Sequence, residues 1–220
     1  MPFGCFLARR TGLFVTLEGP DGSGKSTQAQ LLTEKLREAG YRVLLTREPG
    51  GSPVAEKIRE LLLDPANKGM RDGAELLLFE AARFQHVKDT VLPALAKGTV
   101  VLCDRFIDST TAYQVAGRGL KPAEVSWLNR FGSAGLKPDL TLLFDIPVAE
   151  GLRRARKAKG GRDRMEQTER AFRERVRRGF LNLARREPKR IKRISVLTLT
   201  PEAVASQAWA LLERKLKAIG

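Results

Sequence analysis

The chain predicts an α/β fold, a parallel sheet covered by helices on both faces. Three observations carry that reading. Short runs rich in Val, Leu and Ile at residues 13–18, 41–46, 99–104, 139–144 and 193–199 have the length and near-continuous apolarity of strands buried on both faces. Stretches of helical length separate them, and such alternation closes into parallel βαβ units with right-handed crossovers. The residues just past four of the runs are polar or Gly-rich, and the carboxyl ends of strands are where such sheets gather ligands. With 220 residues, 42% hydrophobic and 30% charged, the chain suits one globular domain over 1–220, with residues 1–11 as an extension.

The first run leads into Gly19-Pro20-Asp21-Gly22-Ser23-Gly24-Lys25-Ser26-Thr27, which fits G-x-x-x-x-G-K-[ST], the spacing of a P-loop. A triphosphate's charge must be met at close range by donors that need not reorganise. Glycines let backbone N–H groups turn inward, and the helix that follows, at 27–38, adds the positive end of its dipole. Lys25 then reaches the β- and γ-phosphates, and the Ser26 hydroxyl ligates Mg²⁺. The loop announces phosphate without naming a reaction.

After the second run, Arg47-Glu48-Pro49-Gly50-Gly51 turns the chain at the strand tip, and Ser52 is placed to cap a helix over 53–63. Arg47 there is either a clamp for phosphate or carboxylate, or half of an ion pair with Glu48 or a neighbour. The next helix, 72–87, sets Phe79 and Arg83 four residues apart on one side. Together they could grip a base, one by stacking and one by hydrogen bonding; a Phe at helical spacing also reads as core. His86, the one histidine, reads as structural or surface.

The third run ends Val100-Val101-Leu102-Cys103-Asp104, like a Walker B strand whose carboxylate holds Mg²⁺ directly or through water. The alternative partner for Asp104 is a nearby arginine. A helix over 107–114 presents Ser109, Thr110, Tyr113 and Gln114 near the same strand end. A second amphipathic helix follows at 122–131, with Trp127 in the core or an interface. Past Asp145 a helix beginning near 147 runs into a Gly- and Arg-rich excursion, followed by helices over 166–185 and around Leu211, Leu212 and Leu216.

The net charge is +15, and residues 153–193 hold eighteen Lys/Arg against five Asp/Glu. A segment of this kind can be a nucleic-acid face, a solvated helix or a lid that closes on phosphates. Confinement of the excess to one segment favours a lid, at about 153–166, and nucleic acid is not the expected partner. Two cysteines, Cys5 and Cys103, read as free thiols in a reducing cytosol. No apolar run approaches the roughly 20 residues of a membrane span. Arg9 and Arg10 follow a short apolar patch instead of preceding a long one, the wrong order for a secretory signal. A cytoplasmic protein is expected.

Taken together, the loop, Thr46-Arg47-Glu48-Pro49-Gly50-Gly51, Phe79-Glu80-Ala81-Ala82-Arg83, Asp104-Arg105-Phe106-Ile107-Asp108-Ser109-Thr110-Thr111-Ala112-Tyr113-Gln114 and Asp163-Arg164 resemble the thymidylate kinases. These are P-loop nucleoside monophosphate kinases, and the likeness spans nearly the whole chain from Leu13. The resemblance implies a three-layer P-loop NTPase fold with a five-stranded parallel sheet, and usually a homodimer. It also implies transfer of the γ-phosphate of ATP to dTMP with Mg²⁺, a step towards dTTP. By position, Arg47 and Arg105 would bind the dTMP phosphate, Phe79 would stack on thymine, and Arg83 would meet a base carbonyl with Thr110 and Gln114 nearby. Tyr113 would crowd the sugar's 2′ position, Asp21 would contact the 3′-hydroxyl region, and Ser109 joins this acceptor set.

Kinases of this family carry a catalytic arginine in the loop or in the lid. The loop position here is Gly22, so the resemblance assigns the arginine to the lid, among Arg154, Arg156 and Arg164, the last beside Asp163. The lid is a residue longer than the family pattern and richer in Arg and Lys, and the basicity as far as residue 193 is not explained by the resemblance. No general base is conspicuous. An anionic phosphate acceptor asks for alignment and charge neutralisation more than proton abstraction. Two competing readings are another nucleotide kinase of the same fold and a nucleotide-dependent nucleic-acid-binding P-loop protein. Tyr113 with the Phe79–Arg83 spacing disfavours the first, and the intact acceptor set the second.

Overall fold

The computed structural model describes residues 11–158 and 169–218. Cys5, Asp163 and Arg164 lie outside the described residues, as do most of the expected lid and the side chain of Arg156. Five strands, β1 (Phe14–Glu18), β2 (Val43–Arg47), β3 (Val100–Asp104), β4 (Leu140–Asp145) and β5 (Ile191–Ser195), form one parallel sheet in the order β2-β3-β1-β4-β5. The helices are α1 (Lys25–Glu38), α2 (Pro53–Leu63), α3 (Asp72–His86), α4 (Leu92–Ala96), α5 (Ile107–Thr110), α6 (Pro122–Gly132), α7 (Val148–Ala158), α8 (Arg170–Arg186) and α9 (Pro201–Lys217). No helix among the described residues is long and apolar enough to cross a membrane.

The alternation of side chains along β1 divides the core. Val15 and Leu17 pack with Leu32 and Leu36 of α1 and Ala208 and Leu212 of α9. Phe14 points the other way, to Phe106, Val87, Val91 and Leu95. With β3 and β4 on either side of it, β1 delivers the P-loop to the middle of the sheet's carboxyl edge.

The expectation of strands buried on both faces holds for β1, β3 and β4 and fails for β5, where Lys192, Arg193 and Ser195 are not buried, and for β2. It lies at the sheet edge with β3 as its one neighbour, and Leu45 is 38% exposed. The last strand begins two residues earlier than the apolar run, because Ile191 and Ile194 carry its buried face while Leu197 is 44% exposed. Ser52 does not cap α2 through its side chain, whose Oγ has no partner among the described residues. Glu56 reaches back instead, its Oε1 accepting the Gly51 N–H at 2.8 Å.

Two helical runs extend beyond expectation through widened, π-type turns. α3 continues by Val87–Val91 into α4, where the wide turn accommodates Pro93, whose ring would clash with a carbonyl four residues back. α5 continues into Thr111–Gly117, and wide turns of this kind recur at functional sites. Buried charge is paired throughout this region. Arg190 donates to both oxygens of Asp108 at 2.6 and 2.7 Å, and Arg177 and Arg193 both meet Asp145.

The face of α8 packs on Thr111–Gly117 through small residues on both sides. A Cβ on Gly117 would lie 2.6 Å from the Phe172 ring, and one on Gly179 would lie 2.8 Å from the Ala116 Cβ. Gly179→Val should therefore push α8 off the segment that carries Tyr113 and Gln114, costing about 1–3 kcal/mol. Urea unfolding checks this: the midpoint should fall with little change in slope.

Candidate active site

A cavity of about 540 Å³ opens at the carboxyl edge of the sheet, lined from the P-loop, the β2–α2 turn, α3, the β3–α5 turn, the Thr111–Gly117 segment and α7. On the P-loop side, Gly24 takes a left-handed φ of 83° and starts α1, so the helix N-terminus faces the cavity. Lys25 folds back and donates to the carbonyls of Gly19 and Pro20, both at 3.0 Å. Burial, with the Arg105 charge added, lowers its pKa to about 8 against the pull of Asp104, Asp21 and Glu18. Ser26 donates to Asp104 Oδ2 at 3.0 Å. Asp104 is thus bonded to the loop serine and to no arginine side chain among the described residues, and its buried Oδ1 has no partner there. Thr27 and Gly22 also line the cavity, whereas Ser23 is buried with its Oγ unpartnered among the described residues. Gly22 sits at φ 74°, and a Cβ there would lie 2.0 Å from the Gly151 carbonyl at the start of α7.

The opposite wall is organised by Arg105. Its backbone is left-handed, φ 73°, a conformation that non-glycine residues keep only when their surroundings over-determine it. Its guanidinium donates to Asp21 Oδ1 at 2.7 Å, to Ser109 Oγ at 3.1 Å and to the Gly19 carbonyl at 3.3 Å, and lies over the Tyr113 ring at 5.4 Å. The determinant is Glu18, which the sequence reading passed over as the end of a strand. This buried carboxylate accepts the Phe106 N–H at 2.8 Å and the Ser109 N–H at 3.2 Å on one oxygen, and the Ser109 hydroxyl at 2.6 Å on the other. It caps α5 from across the site. Burial and the neighbouring Asp108 charge push its pKa from the ordinary 4.5 up to about 7, overriding those hydrogen bonds and Arg105.

Of the expected base-binding pair, Phe79 is half-buried and lines the cavity. Arg83 belongs to core and site at once. It is buried, donating to Glu48, Glu80, Asn129 and Thr110 at 2.7 to 2.8 Å, which uses four of five guanidinium N–H donors. Glu80 and Glu48 hold the charge in place against burial. Thr110, Tyr113 and Gln114 share the wall, with Gln114 held by the buried Glu75 at 3.0 Å. His86 is structural, bridging Glu48 and Thr46 at 3.0 and 2.8 Å. Arg47 takes the ion-pair alternative with Glu56 at 3.0 Å and, 55% exposed, also lines the cavity.

Of the three candidate lid arginines, Arg154 stands at the cavity wall, but its guanidinium is engaged by Glu150 at 2.8 Å and by the carbonyls of Val196 and Leu197. An arginine that the sequence left undistinguished supports the site without lining the cavity. Arg173 of α8 donates to Asp21 Oδ2 at 2.8 Å, so Asp21 is clamped on both oxygens, and Arg105, Lys25 and Arg173 hold its pKa below the ordinary value despite burial. Arg173 was one basic residue among eighteen, with no local signal. Glu18 had one: a carboxylate closing a wholly apolar strand beside a phosphate loop. Asp145, by contrast, does not line the cavity and serves α8 and β5.

A half-site for a polyphosphate and a half-site for a flat ring with an anionic tail share one cavity, the arrangement of a P-loop kinase acting on nucleotides. A sequence profile described as thymidylate kinase matches residues 17–207. Thymidylate kinases of Pseudomonas syringae pv. tomato and Thermomicrobium roseum are 53% and 50% identical, over 89% and 93% of this chain and 93% and 96% of theirs. The crystal structure of thymidylate kinase from Ehrlichia chaffeensis aligns with a TM-score of 0.75 at 35% identity, over 92% of this chain and 98% of that one. The chain belongs to the thymidylate kinase family.

Because the Glu18 pKa is raised on folding, from 4.5 to about 7, the folded state holds a proton that the unfolded state releases between those values. Stability from this group is full below the lower value and lost as pH rises through the upper one. The difference in unfolding free energy between wild type and Glu18→Gln should therefore decline from about pH 4.5 to about pH 7 and level off above. Urea midpoints of both proteins across that range measure it, and a flat difference would refute the raised value.

Proposed function

We propose that the protein transfers the γ-phosphate of ATP to dTMP in the cytoplasm. The observation that carries this reading is the meeting, in one cavity, of the P-loop with Phe79, Arg83, Arg105 and Tyr113. ATP lies with its phosphates over Gly19 to Thr27 at the α1 N-terminus, and Lys25 exchanges its two loop carbonyls for phosphate oxygens. The dTMP phosphate takes Arg47 and Arg105, its base the Phe79 face with Arg83, Thr110 and Gln114, and its sugar the space between Tyr113 and Asp21, with Ser109 holding Arg105. Ser26 and Asp104 would hold Mg²⁺: both offer hard oxygen donors, and the unpartnered Asp104 Oδ1 suits a cation. When bound, the ion neutralises charge on the transferring phosphates.

An acceptor that is already an anion needs no base, so the work of the site is alignment and charge compensation. Arg105, fixed by Glu18 and Asp21, sets the direction of the acceptor phosphate. The lid supplies the remaining cation, Arg164 first, with Arg156 and Arg154 as alternatives. In a coupled ADP-release assay dTMP should be the preferred acceptor over AMP, CMP and GMP; equal rates would point to another nucleotide kinase of this fold. Lys25→Ala should abolish turnover with an unchanged circular-dichroism spectrum. Arg164→Ala should lower kcat far more than it raises KM for dTMP, and an unaltered kcat would move the role to Arg156.

The protein acts as a homodimer through the α3–α6 face. Phe84 stacks on Phe131 at 5.4 Å and Phe131 on Trp127 at 5.8 Å, and this ladder lies on the surface with Trp127 57% exposed. An apolar patch of that kind marks an interface. Sedimentation should give a dimer for the wild type and a monomer for Trp127→Glu; a monomeric wild type removes the proposal.

A further inference from the structure

The fold accounts for part of the basic charge and leaves a well-defined remainder. In α8 three arginines are spent on partners: Arg173 on Asp21, Arg177 on Asp145, and the exposed Arg175 on the Gly117 carbonyl at 3.0 Å. Beyond the helix, Arg190 serves Asp108 and Glu187, and Arg193 serves Asp145. Arg170, Arg178, Arg185, Arg186 and Lys189 are exposed. Among the described residues none of the five makes an ion pair or a side-chain hydrogen bond. Arg170, Arg178 and Arg185 follow at spacings of eight and seven residues, about two turns each, so they fall in one row, with Arg186 and Lys189 extending its end. Glu174 is the one carboxylate in the helix.

We propose that this outer face of α8 is a docking surface for the phosphodiester backbone of nucleic acid, read without regard to sequence. The row extends over about 25 Å, the length of a 17-residue helix, too long for one small anion and matched to roughly seven successive phosphates of one strand. Guanidinium groups, four of the five cations, bind phosphate through two parallel hydrogen bonds. A lipid surface is the poorer fit. A helix that lies in a membrane interface needs large apolar side chains to insert, and α8 has no large hydrophobic residue among those exposed. The surface is separate from the nucleotide cavity, whose walls include none of these five residues.

The test is fluorescence anisotropy with a labelled 20-nucleotide single strand and a 20-base-pair duplex of arbitrary sequence, at 50 and 200 mM salt, against Arg178→Gln/Arg185→Gln/Arg186→Gln/Lys189→Gln. Wild type should bind at low salt and lose roughly 500-fold in affinity for the duplex and roughly 100-fold for the single strand between the two conditions, as expected for about five phosphates neutralised. The variant should bind far more weakly with a shallower slope, while its kinase turnover stays at the wild-type level. If the four-residue variant fails to fold, Arg185→Gln/Arg186→Gln alone should reduce the slope by about two units. No binding at 50 mM salt, equal binding by the variant, loss of binding on adding saturating dTMP and ATP, or capture by phosphatidylserine vesicles without binding to either oligonucleotide would each overturn the proposal.

Discussion

A buried carboxyl group is costly without hydrogen-bond donors, and Glu18 finds three of them in one place, the turn after β3. Its two oxygens take two backbone N–H groups and one hydroxyl from Phe106 and Ser109. Because Glu18 closes β1, which continues into the P-loop, this one group sets the distance between the loop and the arginine opposite it. The left-handed backbone of Arg105 costs free energy of its own, on the order of 1–3 kcal/mol. Glu18 and Asp21, holding its two ends, keep it there.

The same economy of partners runs through the rest of the site. Lys25, Arg83, Arg105 and Arg173 crowd a small volume with Glu18, Glu48, Asp21 and Asp104, and each close cation finds an acceptor before any substrate arrives. Their partners differ in kind. Arg83 is tied to carboxylates that would be costly to abandon, so it is a fixed donor. Lys25 rests on neutral carbonyls, which a phosphate oxygen outcompetes through charge. With its pKa near 8, Lys25 also becomes more fully protonated when an anion arrives, so phosphate binding and proton uptake are linked.

The strand runs, the P-loop and most helices were legible because each depends on local pattern: burial on both faces gives unbroken apolar runs, and phosphate binding needs a fixed glycine spacing. Phe79, Arg83, Arg105 and Tyr113, which the structure brings together in the cavity wall, stood out in the sequence through resemblance alone, since a lone Phe–Arg pair is indistinguishable from core. What could not be read depends on pairing between distant segments. The edge position of β2 follows from strand order, which composition does not encode. Glu18 acts across 91 residues on Ser109, and Arg173 across 152 on Asp21. Ser52 looked like a cap because serine usually is one, and Glu56, one turn on, did that work.

The contact between Gly22 and Gly151 also constrains what can stand in the loop. A side chain at position 22 meets both a left-handed backbone and a carbonyl 2.0 Å from its Cβ, so any residue but glycine there requires the start of α7 to move. Two glycines 129 positions apart thus set how closely the loop and the start of α7 approach each other.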